Sequence, residues 1–411
     1  MAYRLITIDA LRIGMHVAKL DVAWFRSPFL RHSFLISTHE QIEKLRRAGV
    51  RQLTIDPARG LDLPETSTLS EAKPQMAQNG CPATVSPPTV RSLARMTEEL
   101  EAARSARRQL ELSVQSTFSR VAETGTVDPE KAQHIIHEIN AVAKSLTTHA
   151  LFMAFSHGRD GSHSLSEHAL ATCSFSMILA HAAAYDLSAL QDLATGALLH
   201  DIGLLQVPRS LLERIHDTSI TQSEATRRTY ESHARSGAIL LERQGGFSSA
   251  VEQIVAEHHA YLDQSGFPAE TRGTFTSDMT RLIMVTDRYD ELLTGFGGAS
   301  PLTPHQSLQR VYQEGLEGKY ENRLVSLFVK VMGIYPVYSS VMLTTGERAV
   351  VSLVNSSKLH LPVITITHDP SGTPYIVPLV IDLANQNEKA PMRGICSVIG
   401  TIASDIEKAV R

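Results

Sequence analysis

Apolar positions change their period more than once along the chain. Over residues 1–62 they come as short runs broken by turn residues. Residues 4–8 and 15–20 read as strands around a turn at 11–14. Residues 39–48 have helical spacing through Ile42 and Leu45, Gly49 can cap that helix, and residues 51–55 read as a further strand. Trp24, Pro28, Phe29 and Phe34 add an aromatic cluster. The segment predicts a small α+β module. Residues 63–91 are rich in Pro, Ser and Thr and lack periodicity, so they read as a disordered linker.

From Leu93 the apolar steps alternate between three and four residues, through Met96, Leu100, Ala103, Leu110, Val114 and Val121, with Arg107 and Thr117 interrupting. This is an amphipathic helix with partial heptad character. Its seam over 93–121 can pair across a homodimer or pack on its own chain; the pattern leaves both open. Asp128-Pro129-Glu130 is a helix start, with Asp as N-cap and Pro at the first helical position. Ile135, Ile136, Ile139, Val142 and Leu146 then mark a buried face, and helical patterns continue over 165–330. Strand signals return only after Tyr335, at 340–343, 348–354 and 363–367, with 344–347 as a hairpin turn. The fold class is therefore mainly α, a helical bundle with a small α+β N-terminal module and a short β-rich C-terminal segment. The expected boundaries are 1–62, a linker at 63–91, amphipathic helices at 92–145, a main helical domain at 146–335 and a hairpin-containing extension at 336–411.

The 411 residues are 43% hydrophobic and 20% charged with a net charge of −4, which fits a globular protein and gives no basic bias toward nucleic acid or an anionic membrane. The apolar region near 172–185 is too short to span a bilayer, and no signal-peptide pattern opens the chain. A cytoplasmic protein is expected. Cys81, Cys173 and Cys396 are odd in number and far apart, so neither a disulfide framework nor a thiolate zinc site is indicated. Histidine is different: of 18, nine fall between His157 and His259.

Residues 198–205 read LLHDIGLL, placing His200 and Asp201 at the end of an apolar helix. Adjacent helical residues point about 100° apart, so one ion is poorly served by both unless the helix end opens. A pair of ions is served well, because a carboxylate can bridge while the imidazole binds one of them. His168 stands upstream near the start of an amphipathic pattern, and His233, His258, His259 and Asp287 stand downstream beside core residues. Carboxylates on apolar helix faces are costly unless paired, and a shared metal centre satisfies them together. Imidazole and carboxylate ligands, without thiolates, suit Fe, Mn, Zn or Ni. His157, His163, His181, His216 and His305 read as surface or local hydrogen-bonding residues. Met153, Met177, Met284 and Cys173 read as core, and Trp24 as an anchor of the N-terminal module.

The order H…HD…H…HH…D, with HDIG in a helical region and GFP soon after the double histidine, resembles the HD-GYP family of the HD superfamily over roughly residues 145–350. The later stretch YPVYSSVMLTTGERAVV is similar to the end of that domain. LRIGMHV, the Trp24 region, SPF and TID resemble a small domain often found ahead of it. The resemblance implies an HD-type helical bundle, and a metal-dependent phosphodiesterase that hydrolyses cyclic di-GMP to pGpG or GMP in bacterial signalling. It implies His168, His200, Asp201, His233, His258, His259 and Asp287 as ligands of two divalent ions. His200 and Asp201 would be central to catalysis, and Asp263, Gly266, Phe267 and Pro268 would be at the substrate. The Glu that brings a third ion in some members is Ser164 here. The sequence also departs from the pattern: Leu204 replaces the lysine of HDIGK, Ala260, Gln264 and Phe267 replace Glu, Gly and Tyr, and no Arg-Pro-Tyr follows Asp287. Those losses keep a second reading open, a weak or inactive relative that acts as a nucleotide receptor or a scaffold for signalling partners.

Overall fold

Helix ends fall where the sequence supplies side-chain caps. In the computed structural model, which describes residues 4–20, 34–47, 50–57, 59–62, 92–156, 164–216, 223–269, 276–296, 300–386 and 391–401, Ser, Asp or Thr caps most of the long helices. Trp24, Pro28, Phe29, the 63–91 linker, Cys81, His157 and His163 lie outside the described residues. The chain forms two units, Met1–Val90 and Arg91–Arg411.

The first unit holds β1 (Arg4–Thr7), β2 (His16–Leu20), β3 (Phe34–Leu35), α1 (His39–Arg47) and β4 (Gln52–Ile55). The strands form an antiparallel sheet in the order β1-β4-β2-β3. Ile6, Met15, Val17, Ile36, Ile42, Leu45, Leu53 and Ile55 make its core. The module is the α+β unit expected, with one short strand, β3, added.

The second unit begins with α2 (Leu93–Thr124), capped by Ser92, whose side chain accepts from the Arg95 N–H, and closed by Gly125 at φ 66°. Next come α3 (Pro129–Ser145), capped by Asp128 with Pro at its first position, and α4 (Thr148–Ser156). The seam residues Met96, Leu100, Ala103, Leu110, Val114 and Val121 are buried against α3, α4 and the next helix of the same chain. A homodimer built on that seam would have to unpack it.

That next helix, α5 (Leu165–Ala182), is the axis of the bundle. It packs on α2, α4, α6 (Leu187–Leu199), α11 (Asp278–Thr294) and α13 (Asn322–Met332). The sequence reads α5 as amphipathic, but it is buried on nearly every side from Ser166 to Met177, because five helices surround it. Between α6 and α11 run α7 (Arg209–His216), α8 (Glu224–Glu231), α9 (His233–Gln244) and α10 (Ser249–Glu257). Helix α12 (Pro304–Leu316) starts in a capping box, Thr303 with Gln306. Among the described residues, no helix is long and apolar enough to cross a membrane.

An antiparallel sheet closes the unit: β5 (Ser339–Leu343), β6 (Arg348–Leu353), β7 (Val363–His368), β8 (Pro374–Asp382) and β9 (Ile395–Thr401), in the order β8-β7-β6-β5-β9. The three strands expected are β5, β6 and β7. The two not expected are the edges. β8 carries Pro378 in mid-strand, which an edge strand tolerates, and β9 pairs with β5 across more than fifty residues of chain.

Candidate metal centre

The apolar residues of α6 drive it into the core, where it ends at Leu199 with His200 as its cap. Asp201 then leaves the helical path, at φ −100° and ψ 13°, and a tight turn follows over Ile202–Gln206. The helix end therefore opens, as a shared centre requires of adjacent ligands. Gly203 permits it: a Cβ there would stand 2.0 Å from the His233 carbonyl oxygen. That close approach sets the first residue of α9 beside Asp201. At the end of α10, His258 caps the helix and His259 follows. A Cβ on Gly266 would stand 1.7 Å from the His259 carbonyl oxygen, and that oxygen accepts the Phe267 N–H at 3.1 Å. His168 comes from α5 and Asp287 from α11.

All seven side chains are buried and converge in two groups joined by Asp201. In the first, His168 Nε2 lies 3.1 Å from His200 Nε2, 3.1 Å from Asp287 Oδ1 and 3.6 Å from Asp201 Oδ2. In the second, His233 Nε2 lies 3.2 Å from His258 Nε2 and 2.9 Å from Asp201 Oδ1, with His259 beside them. Each oxygen of Asp201 thus faces a different group. Facing ring nitrogens that both present lone pairs need a proton or a cation between them.

The remote ring nitrogens show that these do. Nδ1 of His200, His233 and His258 lies 2.8, 2.6 and 2.9 Å from the carbonyl oxygens of Ala197, Tyr230 and Val255. A carbonyl only accepts, so each Nδ1–H donates and each Nε2 lone pair turns inward. His168 Nδ1 lies 2.7 Å from Asp290 Oδ2, and His259 Nδ1 lies 3.1 Å from the Tyr261 hydroxyl. This is the outer support that metal-binding imidazoles use to fix tautomer and orientation. Asp201 Oδ1 is a buried oxygen with no hydrogen-bond partner. Orphaned carboxylate oxygen, inward lone pairs and a thiolate-free donor set together fit divalent cations.

Electrostatics separates the two groups. Burial opposes charge on His168, but hydrogen bonds to Asp287 and Asp290 outweigh it and push its pKa up to about 10. His200 is also raised, against burial, by Asp201 and Asp287. Burial and neighbouring imidazoles lower His258 and hold His259 well below the usual imidazole range. Asp201 and Asp287 lie well below the carboxylate range, because the imidazoles around them outweigh burial. Without ions, then, protons supply the positive charge on the His168 side.

Sequence reasoning missed three side chains that the packing brings here. Asp290 holds His168, and Glu291 lies with His259 and Asp287 in a third group of potential ligands. Burial and Asp287 push the Glu291 carboxyl up to about 7. Both stand one helical turn beyond Asp287, at i+3 and i+4, a spacing visible in the sequence. The face carrying Asp287 is therefore not otherwise apolar, as the sequence suggested. Tyr261, the third, carried no sequence signal. Arg288 pairs with Glu291 at 2.9 Å and with Glu314 at 3.0 Å.

The four loop residues expected at the substrate lie beside the second group. The Phe267 ring lies against His259, tilted by 37° with 4.4 Å between centroids. Gly266 is buried, and Pro268 is half-buried. Asp263 accepts from the N–H and hydroxyl of Ser265, at 2.9 and 2.7 Å, so part of its carboxylate shapes the loop. Leu204 is buried where the resemblance expects a lysine. His305 and Cys173 take the bland roles expected of them: His305 Nδ1 donates to the Ile334 carbonyl at 2.7 Å, and burial pushes the Cys173 thiol up to about 12.

Comparison with known proteins adds the following. Residues 160–324 match a family described as HD domain, and residues 3–132 match a domain of unknown function, DUF3391. The cyclic di-GMP phosphodiesterase PA4108 of Pseudomonas aeruginosa is 26% identical over 385 residues, 93% of this chain and 89% of that protein. A cyclic di-GMP phosphodiesterase of Vibrio cholerae is 30% identical over 139 residues, 32% of this chain and 27% of that protein. Among solved structures, Bd1817, an HDG"Y"P protein of Bdellovibrio bacteriovorus, aligns with a TM-score of 0.46 and 17% identity, over 80% of this chain and 98% of that one.

Proposed function

We propose that this chain, which carries an HD domain behind a DUF3391 domain, is a metal-dependent phosphodiesterase that hydrolyses cyclic di-GMP, using two divalent ions, Fe or Mn. The observation that carries the reading is the division of Asp201, one oxygen toward His168 and His200 and the other toward His233 and His258. Asp287 completes the first group and His259 the second. Similarity to one named cyclic di-GMP phosphodiesterase over most of the chain supports the substrate.

Hydrolysis adds water across one P–O3′ bond. The phosphorus keeps its 5′ oxygen and gains the water oxygen, and the 3′ oxygen leaves as a hydroxyl, giving pGpG; a second hydrolysis gives GMP. Divalent ions held by these residues would lower the pKa of coordinated water and offset charge on the phosphoryl oxygens. The chain's own groups do the rest. Asp290 and three backbone carbonyls hold the imidazoles with their Nε2 lone pairs inward. Phe267, tilted against His259, offers an aromatic surface to a guanine base. Buried walls around the ligands exclude bulk water and strengthen every charge interaction there.

Asp201→Ala tests the reading. The variant is expected to lose cyclic di-GMP turnover while keeping most of its nucleotide affinity. Retained turnover, with metal still bound, would sink the two-ion arrangement.

A further inference from the structure

Lys319 carries an ammonium that no acceptor among the described residues satisfies. Its Nζ lies over the Tyr261 ring, 4.0 Å from the centroid, and 5.4 Å from the Tyr320 centroid. Its ion-pair contact is Glu314 Oε2 at 4.0 Å, beyond hydrogen-bond reach. Glu314 is already occupied: Arg288 donates to both its oxygens at 3.0 and 3.1 Å, Arg310 at 2.7 Å and the Tyr320 hydroxyl at 3.3 Å. An ammonium has three donors to place, and this side chain is only 20% exposed. The aromatic face holds the charge in position without using its hydrogens.

Its place in the fold gives the unsatisfied charge a direction. The Tyr261 hydroxyl touches His259 Nδ1 at 3.1 Å, so the Tyr261 phenol and the His259 imidazole stand between the ammonium and the metal centre. The Lys319 carbonyl accepts the Leu262 N–H at 3.1 Å, which ties the turn after α12 to the loop carrying His258, His259 and Phe267. The other basic groups of this network, Arg288 and Arg310, are spent on Glu291 and Glu314. The HDIG turn offers buried Leu204 instead of a cation.

We propose that Lys319 binds the second, non-reacting phosphate of the cyclic dinucleotide while the first lies at the metal centre. The assignment rests on the function proposed above. A cyclic dinucleotide carries two phosphodiesters on opposite sides of one macrocycle, so a cation set apart from the metal centre is placed for the phosphate that does not react.

The test compares metal-reconstituted wild type, Lys319→Met and Lys319→Arg, with metal content measured on each sample. Lys319→Met is expected to raise KM for cyclic di-GMP about tenfold or more, as loss of a charge-assisted hydrogen bond does, with kcat changed less than about threefold. Lys319→Arg is expected to recover most of the affinity. An unchanged KM in Lys319→Met overturns the assignment. Equal losses of kcat and metal in both variants also overturn it, since they mark a structural role. Wild type that turns over no cyclic di-GMP breaks the functional reading itself. In that case equilibrium binding of cyclic di-GMP decides Lys319: about tenfold weaker binding by Lys319→Met supports it, and equal binding overturns it.

Discussion

Asp290 reaches the metal centre through the ring of His168, and that makes it the sharpest single-residue probe of the site. Its carboxylate fixes Nδ1 and leaves Nε2 for the group shared with His200, Asp201 and Asp287. Asp290→Asn is expected to weaken divalent-ion affinity by about 10- to 100-fold with the fold intact, as measured by competition with a metal indicator. His168 also sets a pH dependence. Its pKa is raised on folding, so in metal-free protein it contributes stability that is present below 6.5 and lost as pH climbs through about 10. Chelated wild type should therefore lose melting temperature across that window more steeply than chelated His168→Gln. The convergence of the seven candidate ligands was legible in the sequence because each is a polar residue among apolar helical neighbours, and such residues need a common partner. Asp290 and Glu291 were legible in principle, one turn from Asp287. Tyr261 and Lys319 were not, because their roles arise only when the turn after α12 meets the loop after α10.

At the scale of elements, two glycines decide how closely ligand-bearing segments approach. Gly203→Ala would place a methyl group against the His233 carbonyl, backbone that cannot rotate away. It is expected to cost about 1–3 kcal/mol and to reduce metal content, read by denaturant unfolding and elemental analysis of one preparation. Helix α2 gives a contrasting pair. Leu110 is 3% exposed and Leu112 is 65% exposed. Leu110→Ala is expected to cost about 2–5 kcal/mol and Leu112→Ala within about 0.5 kcal/mol, in unfolding that does not depend on protein concentration. A dimer seam would make the larger loss concentration-dependent. Heptad spacing alone cannot separate these cases, since a helix packed on its own bundle shows the same stripe. Edge strands β8 and β9 escaped the sequence for a related reason. Pattern reports burial, and an edge strand such as β8, with Ile376 fully exposed, is defined by its hydrogen-bonded neighbour instead.

Across the second unit, helices from distant parts of the sequence are pinned at one point. His168 and Asp287 are separated by more than a hundred residues, yet their ligand atoms lie 3.1 Å apart. Buried carboxylates and imidazoles at such a junction are costly without a partner, so metal binding here is expected to be coupled to folding. Chelation should lower the melting temperature, and added Mn should restore it. The helical bundle and its ligand order were readable in advance because apolar period and histidine placement agree over 165–330. Turnover depends on what surrounds the ions, where the sequence departs most from the HD-GYP pattern. The most direct test is therefore one preparation, purified anaerobically, assayed both for bound metal and for cyclic di-GMP turnover with Mn or Fe added. About two ions per chain together with pGpG formation are expected. No bound metal, or two ions with no turnover, would contradict the proposed function.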